Sequence, residues 1–120
     1  MVSTKELGMI GESIACDVLR KKGYTILRRN YIFDHSEIDI IAGLEEKLIF
    51  VEVKTRISSY LTDPSLLVSI GKQKQIIRAA DQYVKDFYPE KEWRFDIMVI
   101  ITNSEYTSIE HIEDAFYPMA

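Results

Sequence analysis

The chain has 120 residues, 47% hydrophobic and 28% charged, with a formal net charge of −4 and one cysteine, Cys16. Such a length buries roughly two thirds of its unfolded surface without staples, so one domain over residues 1–120 is expected, and a lone cysteine excludes an internal disulfide and fits a reducing, cytoplasmic setting. No signal peptide is expected in residues 1–11, and the apolar run Ile97–Ile101 is far too short to span a bilayer as a helix, so no membrane partner is expected.

The acid excess is uneven. From Asp86 onward, eight acids face only Lys91 and Arg94, whereas Arg20, Lys21, Lys22, Arg28 and Arg29 cluster early in the chain. A polyanion approaching one face meets the local field rather than the sum.

Ser3 or Thr4 is suited to cap a first helix running to about Lys22 and ended by Gly23, with Leu7, Ile10, Ile14 and Val18 as its apolar stripe. Tyr24–Leu27 is short and β-prone, and Arg28-Arg29-Asn30 follows as a polar cluster. Glu37–Ala42 predicts a strand, Gly43–Lys47 a turn and Leu48–Thr55 a second strand, which together make a β-hairpin. Ile57–Pro64 is rich in turn formers. A second helix is expected from Ser65 or later to Phe87, with Ile76, Ala80, Tyr83, Val84 and Phe87 on its buried face and Pro89 as its stop. Strands near Phe95–Ile101 and Ser108–Ile112 complete an α/β chain with a mixed central sheet flanked by helices.

The chemistry gathers on the hairpin. Strand side chains alternate, so Leu48, Phe50, Glu52 and Lys54 share one face, and Glu37, Asp39 and Ile41 are expected to share a face opposite Ile38 and Ile40. With the turn at Glu45 and Glu46, Asp39 lies across from Glu52; a slip of one residue would part them. Two carboxylates, a backbone carbonyl such as that of Val53, and waters make the oxygen shell that Mg²⁺ prefers, and Mn²⁺ accepts a similar one. Lys54 beside them can hold a water or contact a phosphate. The triplet Glu-x-Lys by itself says little, because Glu45-Glu46-Lys47 has the same spacing in a turn. A solvent-facing Glu52–Lys54 pair is the plain alternative.

Beyond the hairpin, Gly11-Glu12, Gly23-Tyr24, Arg29-Asn30, Phe50–Arg56, Lys72, Ala80, Arg94-Phe95-Asp96 and His111-Ile112 complete a pattern that runs nearly end to end. That pattern resembles the YraN-like family, itself similar to archaeal Holliday-junction resolvases and to the PD-(D/E)xK, restriction-endonuclease-like superfamily. The resemblance implies metal-binding acids at Asp39 and Glu52, a catalytic lysine at Lys54 and a helix glutamate, Glu12, near the metal. It also implies a Mg²⁺- or Mn²⁺-dependent nuclease acting on DNA, including branched DNA, and a homodimer. Ser36 stands where the family usually has glycine.

Arg56, Lys72, Lys74 and Arg78 are candidates for phosphate contacts, with a solvated helix face as the alternative for the last three. His35, His111 and Cys16 are too scattered to suggest zinc, and no phosphate-cradling loop or nucleophile elbow is present. Two further readings stand beside the nuclease: a nucleic-acid-binding module that keeps the fold without activity, and an interaction protein whose charged strand end is structural.

Overall fold

The computed structural model describes residues 2–58 and 67–118. Ser3 starts α1 (Thr4–Lys21), its hydroxyl accepting from the Glu6 N–H at 3.1 Å. Just past the helix, Gly23 takes φ +95°, the left-handed conformation in which only glycine is unstrained. Then come β1 (Thr25–Phe33), β2 (Ser36–Leu44), β3 (Lys47–Arg56), α2 (Ile70–Phe87), β4 (Glu92–Thr102) and β5 (Thr107–Phe116). The strands form one sheet in chain order, antiparallel except for the parallel β3–β4 pair. A parallel pair needs a long crossover, and α2 lies within it. The result is the α/β architecture expected, a mixed sheet with a helix on each face, compatible with a restriction-endonuclease-like fold.

Alternation along the strands builds two cores. On one face Ile49, Val51, Met98 and Ile100 meet Ala15, Cys16 and Leu19 of α1. On the other, Leu48, Phe50, Phe95 and Ile97 meet Ile76, Ala80 and Tyr83 of α2. Fully burying one such Ile or Phe contributes about 1.5–3 kcal/mol, so the central strands anchor both helices.

Several expectations need correction. The α1 face that touches the sheet carries the buried Gly11, Ala15, Cys16 and Leu19, with Ile14 and Val18 of the expected stripe half-buried against it, while Ile10 is 42% exposed. Small residues take this face because α1 comes very close to β3. A Cβ added to Gly11 would lie 1.8 Å from Thr55 Oγ1. β1 does not stop at Leu27 but continues through Arg28-Arg29-Asn30, whose polarity suits an edge strand. Phe87 is 49% exposed, and Ala79 takes a place on the buried face of α2. The start of that helix agrees with the expected Ser65 or later: Ser69 caps it by accepting from the Lys72 N–H at 3.2 Å. The stretch from Ser59 through Pro64 of the expected loop lies outside the described residues.

The Gly11–Thr55 contact makes a prediction. Glycine in a helix ordinarily costs about 0.5–1 kcal/mol relative to alanine, and nothing lies within 4 Å of a Cβ placed on Gly8. Gly8→Ala should therefore stabilise the chain by roughly that amount. Gly11→Ala should destabilise it by about 1–3 kcal/mol through overpacking. Urea midpoints of the two variants measure both, and a stabilised Gly11→Ala would disprove the tight contact.

A polar network closes the far side of the sheet. Asp96, fully buried, accepts from Arg94 Nε and Nη2, both at 2.8 Å, from the Asp114 N–H at 3.0 Å and from His111 Nε2 at 2.7 Å. The ammonium of Lys22 lies 2.8 Å from His111 Nδ1. Lysine can only donate, so Nδ1 accepts and the ring presents Nε2–H to Asp96. Burial alone would raise the Asp96 carboxyl, but the hydrogen bonds from His111, Arg94 and the Asp114 N–H outweigh it and hold its pKa below the usual range. Its stabilising contribution is present above about 3.8 and lost as pH falls through the lower folded value. Asp96→Ala leaves Arg94 facing an emptied, buried site, and a loss of about 3–5 kcal/mol in denaturant titrations is expected.

Candidate active site

The hairpin register places the candidate acids together. Ile40 pairs with Val51 and Ile41 with Phe50, so continuing the ladder sets Asp39 opposite Glu52. There the backbone ladder gives way to a side chain: Asp39 Oδ2 accepts the Val53 N–H at 2.8 Å. The strict alternation expected for β2 also fails here, because Ile38 packs with Ile41 on the α2 side while Ile40 packs on the α1 side.

Glu52 is 6% exposed. Its Oε2 lies 3.3 Å from Lys54 Nζ, and its Oε1, itself buried, has no hydrogen-bond partner among the described residues. A buried carboxylate oxygen without a donor is costly unless something positive reaches it. Asp39 feels the same crowding. Burial first and the charge of Glu52 second push its carboxyl up to about 7, against the Val53 N–H and the positive charge of Lys72. Two acids that repel in a poorly solvated site fit a divalent cation, which would relieve both.

Glu12 reaches the same neighbourhood from α1. Burial, and then the charge of Asp39, raise its carboxyl above the ordinary value, while Arg29 opposes the rise. The Arg29 guanidinium lies 4.0 Å from Glu12 Oε1. Among the described residues, no three His, Cys, Asp or Glu side chains come close enough to hold a metal by themselves. The set is thus Asp39 and Glu52, with Glu12 further out. Mg²⁺ commonly takes only one or two protein carboxylates and completes its shell with waters and substrate phosphate, so the donors present suit it.

The basic candidates separate. Lys72, in the first turn of α2 and half-buried, is felt by Asp39. Lys74 and Arg78 border a groove of about 340 Å³ with Ile77 and Trp93, and Arg78 is paired with the Asp34 carboxylate. Arg56 is exposed and donates to the Thr55 carbonyl at 2.9 Å. Glu37 is exposed. Ser36 is buried and has no positive φ, so its backbone does not require glycine.

Two features escaped the sequence reading. Asn30 sits at φ 54° in β1, beside Glu12 and Glu37; its place in the Arg29-Asn30 pair of the end-to-end pattern was its signal. The Arg94–Asp96–His111 network joins residues distant in sequence, which become neighbours only through the β4–β5 register, where Met98 pairs with His111.

Residues 11–100, which include Glu12, Asp39, Glu52, Lys54 and Lys72, match the profile described as "Uncharacterised protein family UPF0102". A UPF0102 protein of Parabacteroides distasonis is 44% identical over 117 residues, covering 98% of this chain and 97% of its own. Those of Chlorobium chlorochromatii and Bacteroides thetaiotaomicron are 43% and 42% identical, covering 96% and 98% of this chain and 94% and 98% of their own. A match of this span and identity leaves one conclusion: the chain belongs to the UPF0102 family, the YraN-like group that its sequence resembles.

Proposed function

We propose that this protein is a Mg²⁺- or Mn²⁺-dependent nuclease that hydrolyses DNA phosphodiester bonds, branched DNA included, with two copies acting together. The observation that carries the reading is the pairing of half-buried Asp39 with buried Glu52, whose Oε1 has no hydrogen-bond partner among the described residues while Lys54 stands 3.3 Å from the other oxygen. Asp39 and Glu52, with the Val53 carbonyl, would hold the cation. When bound, it would stabilise charge on the scissile phosphate and ease deprotonation of an attacking water.

The protein's own groups divide the remaining work. Lys54, anchored by Glu52, would orient the water or a phosphate oxygen as a compact positive charge. The Val53 N–H fixes one oxygen of Asp39, so the carboxylate keeps its direction when the site fills. Glu12 adds negative charge beside Asp39. Lys72, with its charge felt at Asp39, would meet the backbone phosphate next to the scissile one. Arg56, Lys74 and Arg78 would contact phosphates further along the strand.

The test is a cleavage screen over single-stranded, duplex and four-way-junction DNA with Mg²⁺, Mn²⁺ or EDTA, with Asp39→Asn as the control. Metal-dependent cleavage lost in the variant is the expected result. Binding of DNA without cleavage in either metal would favour the non-catalytic module, and sedimentation of the active species would report whether two copies act.

A further inference from the structure

Around Glu12 lies an arrangement that the reading above does not use. Asn30 and Asp39 are opposed across the β1–β2 pair, since Arg29 pairs with Ile40 and Tyr31 with Ile38. Asn30 has φ 54°, a left-handed conformation that asparagine tolerates better than other non-glycine residues. In the amide orientation that serves both acids, its Nδ2 donates to Glu12 Oε1 at 3.0 Å and to Glu37 Oε1 at 2.8 Å.

These carboxylates come from different elements, α1 and β2, and Glu12 feels the negative charge of both Asp39 and Glu37. Left alone, they would repel and swing toward solvent. A single neutral amide with two N–H groups satisfies both without cancelling their charge, which a cation in its place would do. The Arg29 guanidinium, 4.0 Å from Glu12 and on a side chain 40% exposed, is a looser partner. Gly11 fixes the other end, because its contact with Thr55 sets where the helix backbone, and hence Glu12, stands against β3. A cleft of about 620 Å³ opens beside Glu12, Asn30 and Glu37, so solvent reaches this cluster from the α1 side.

The geometry points to Asn30 as a positioning residue that holds the Glu12 carboxylate beside Asp39 and thereby tightens divalent-cation binding at the Asp39–Glu52 pair. This rests on the metal-site reading above and deepens it. Outer partners of this kind typically change metal affinity by about 10–100-fold.

Asn30→Gly removes the amide and keeps the left-handed backbone, which glycine adopts freely. Mn²⁺ titration calorimetry on the full chain should show about 10-fold weaker binding in Asn30→Gly, a similar loss in Glu12→Gln and no further loss when both are changed. A second readout needs no metal: the Asn30 side-chain amide resonances should shift when Glu12 becomes Gln. Wild-type affinity in Asn30→Gly, losses that multiply in the double variant, or an unmoved amide resonance would each overturn the role given to Asn30. A wild type that binds no Mn²⁺ would overturn the metal site itself, a result read before any variant is made.

Discussion

Replacing Lys54 by alanine is expected to lower DNA cleavage by about 10²–10⁴-fold while Mn²⁺ binding stays at wild-type strength or tightens slightly. The separation follows from where the ammonium sits. It lies 3.3 Å from Glu52 Oε2, whereas Oε1, without a partner among the described residues, would face the cation. Removing it takes away a like charge from the metal's surroundings, so binding does not suffer. It also removes the one compact positive group of β3 placed to steer a water or phosphate. Lys54→Arg keeps the charge but spreads it over a planar fork, so only part of the rate should return. Single-turnover cleavage and calorimetry on the same preparations decide the matter. Wild-type cleavage in the metal-loaded alanine variant would remove Lys54 from the mechanism.

Asp39→Asn is expected to abolish tight divalent binding and cleavage, yet to stabilise the metal-free protein, increasingly so as pH rises. The Asp39 pKa in the folded chain, about 7, lies above its ordinary 3.8. A raised carboxyl favours the folded state fully below the unfolded value, and that contribution is lost as pH rises through about 7. The wild type should therefore lose up to ~4 kcal/mol between pH 4 and pH 8 that the amide variant keeps, an upper bound because Glu52 shares the strain. An asparagine oxygen can still accept the Val53 N–H. Asp96 titrates with the opposite sign but is unchanged in both proteins, so comparison at equal pH cancels it. Urea titrations at pH 4.5 and pH 8 supply the numbers, and a variant less stable than wild type at pH 8 would sink the argument. A cation must also displace the proton held by Asp39, so wild-type Mn²⁺ affinity should climb with pH and level off above about 7.

The two halves of the site were not equally legible. The hairpin was readable because Leu48–Lys54 alternates cleanly and the Glu45-Glu46 turn fixes its register, which sets Asp39 across from Glu52. β1 was read short because an edge strand tolerates Arg28-Arg29-Asn30, and polarity was taken as the end of the strand. The stripe of α1 was drawn through its large apolar residues, whereas close approach to β3 selects Gly11, Ala15 and Cys16. Patterns of hydrophobicity weigh size, and close packing inverts that weight. Lys74 and Arg78 border one groove, yet helical spacing carries no hint that Asp34 pairs with Arg78. The Asp96 network and Asn30 depend on strand registers between segments far apart in the chain.

The β1–β2–β3 meander bears on the order in which the protein assembles. Asp39, Glu52 and Lys54 all lie on one hairpin whose strands are joined by a two-residue turn, so bringing them together closes only a short loop. β3 meets β4 only after the whole α2 segment has been spanned, with Lys47 beside Glu92. Contacts local in sequence form fastest, so substitutions in the hairpin core should slow folding, whereas substitutions in the Arg94–Asp96–His111 network should mainly speed unfolding. The candidate site is then also the earliest part to take shape, and its acids face one another before the helices have docked.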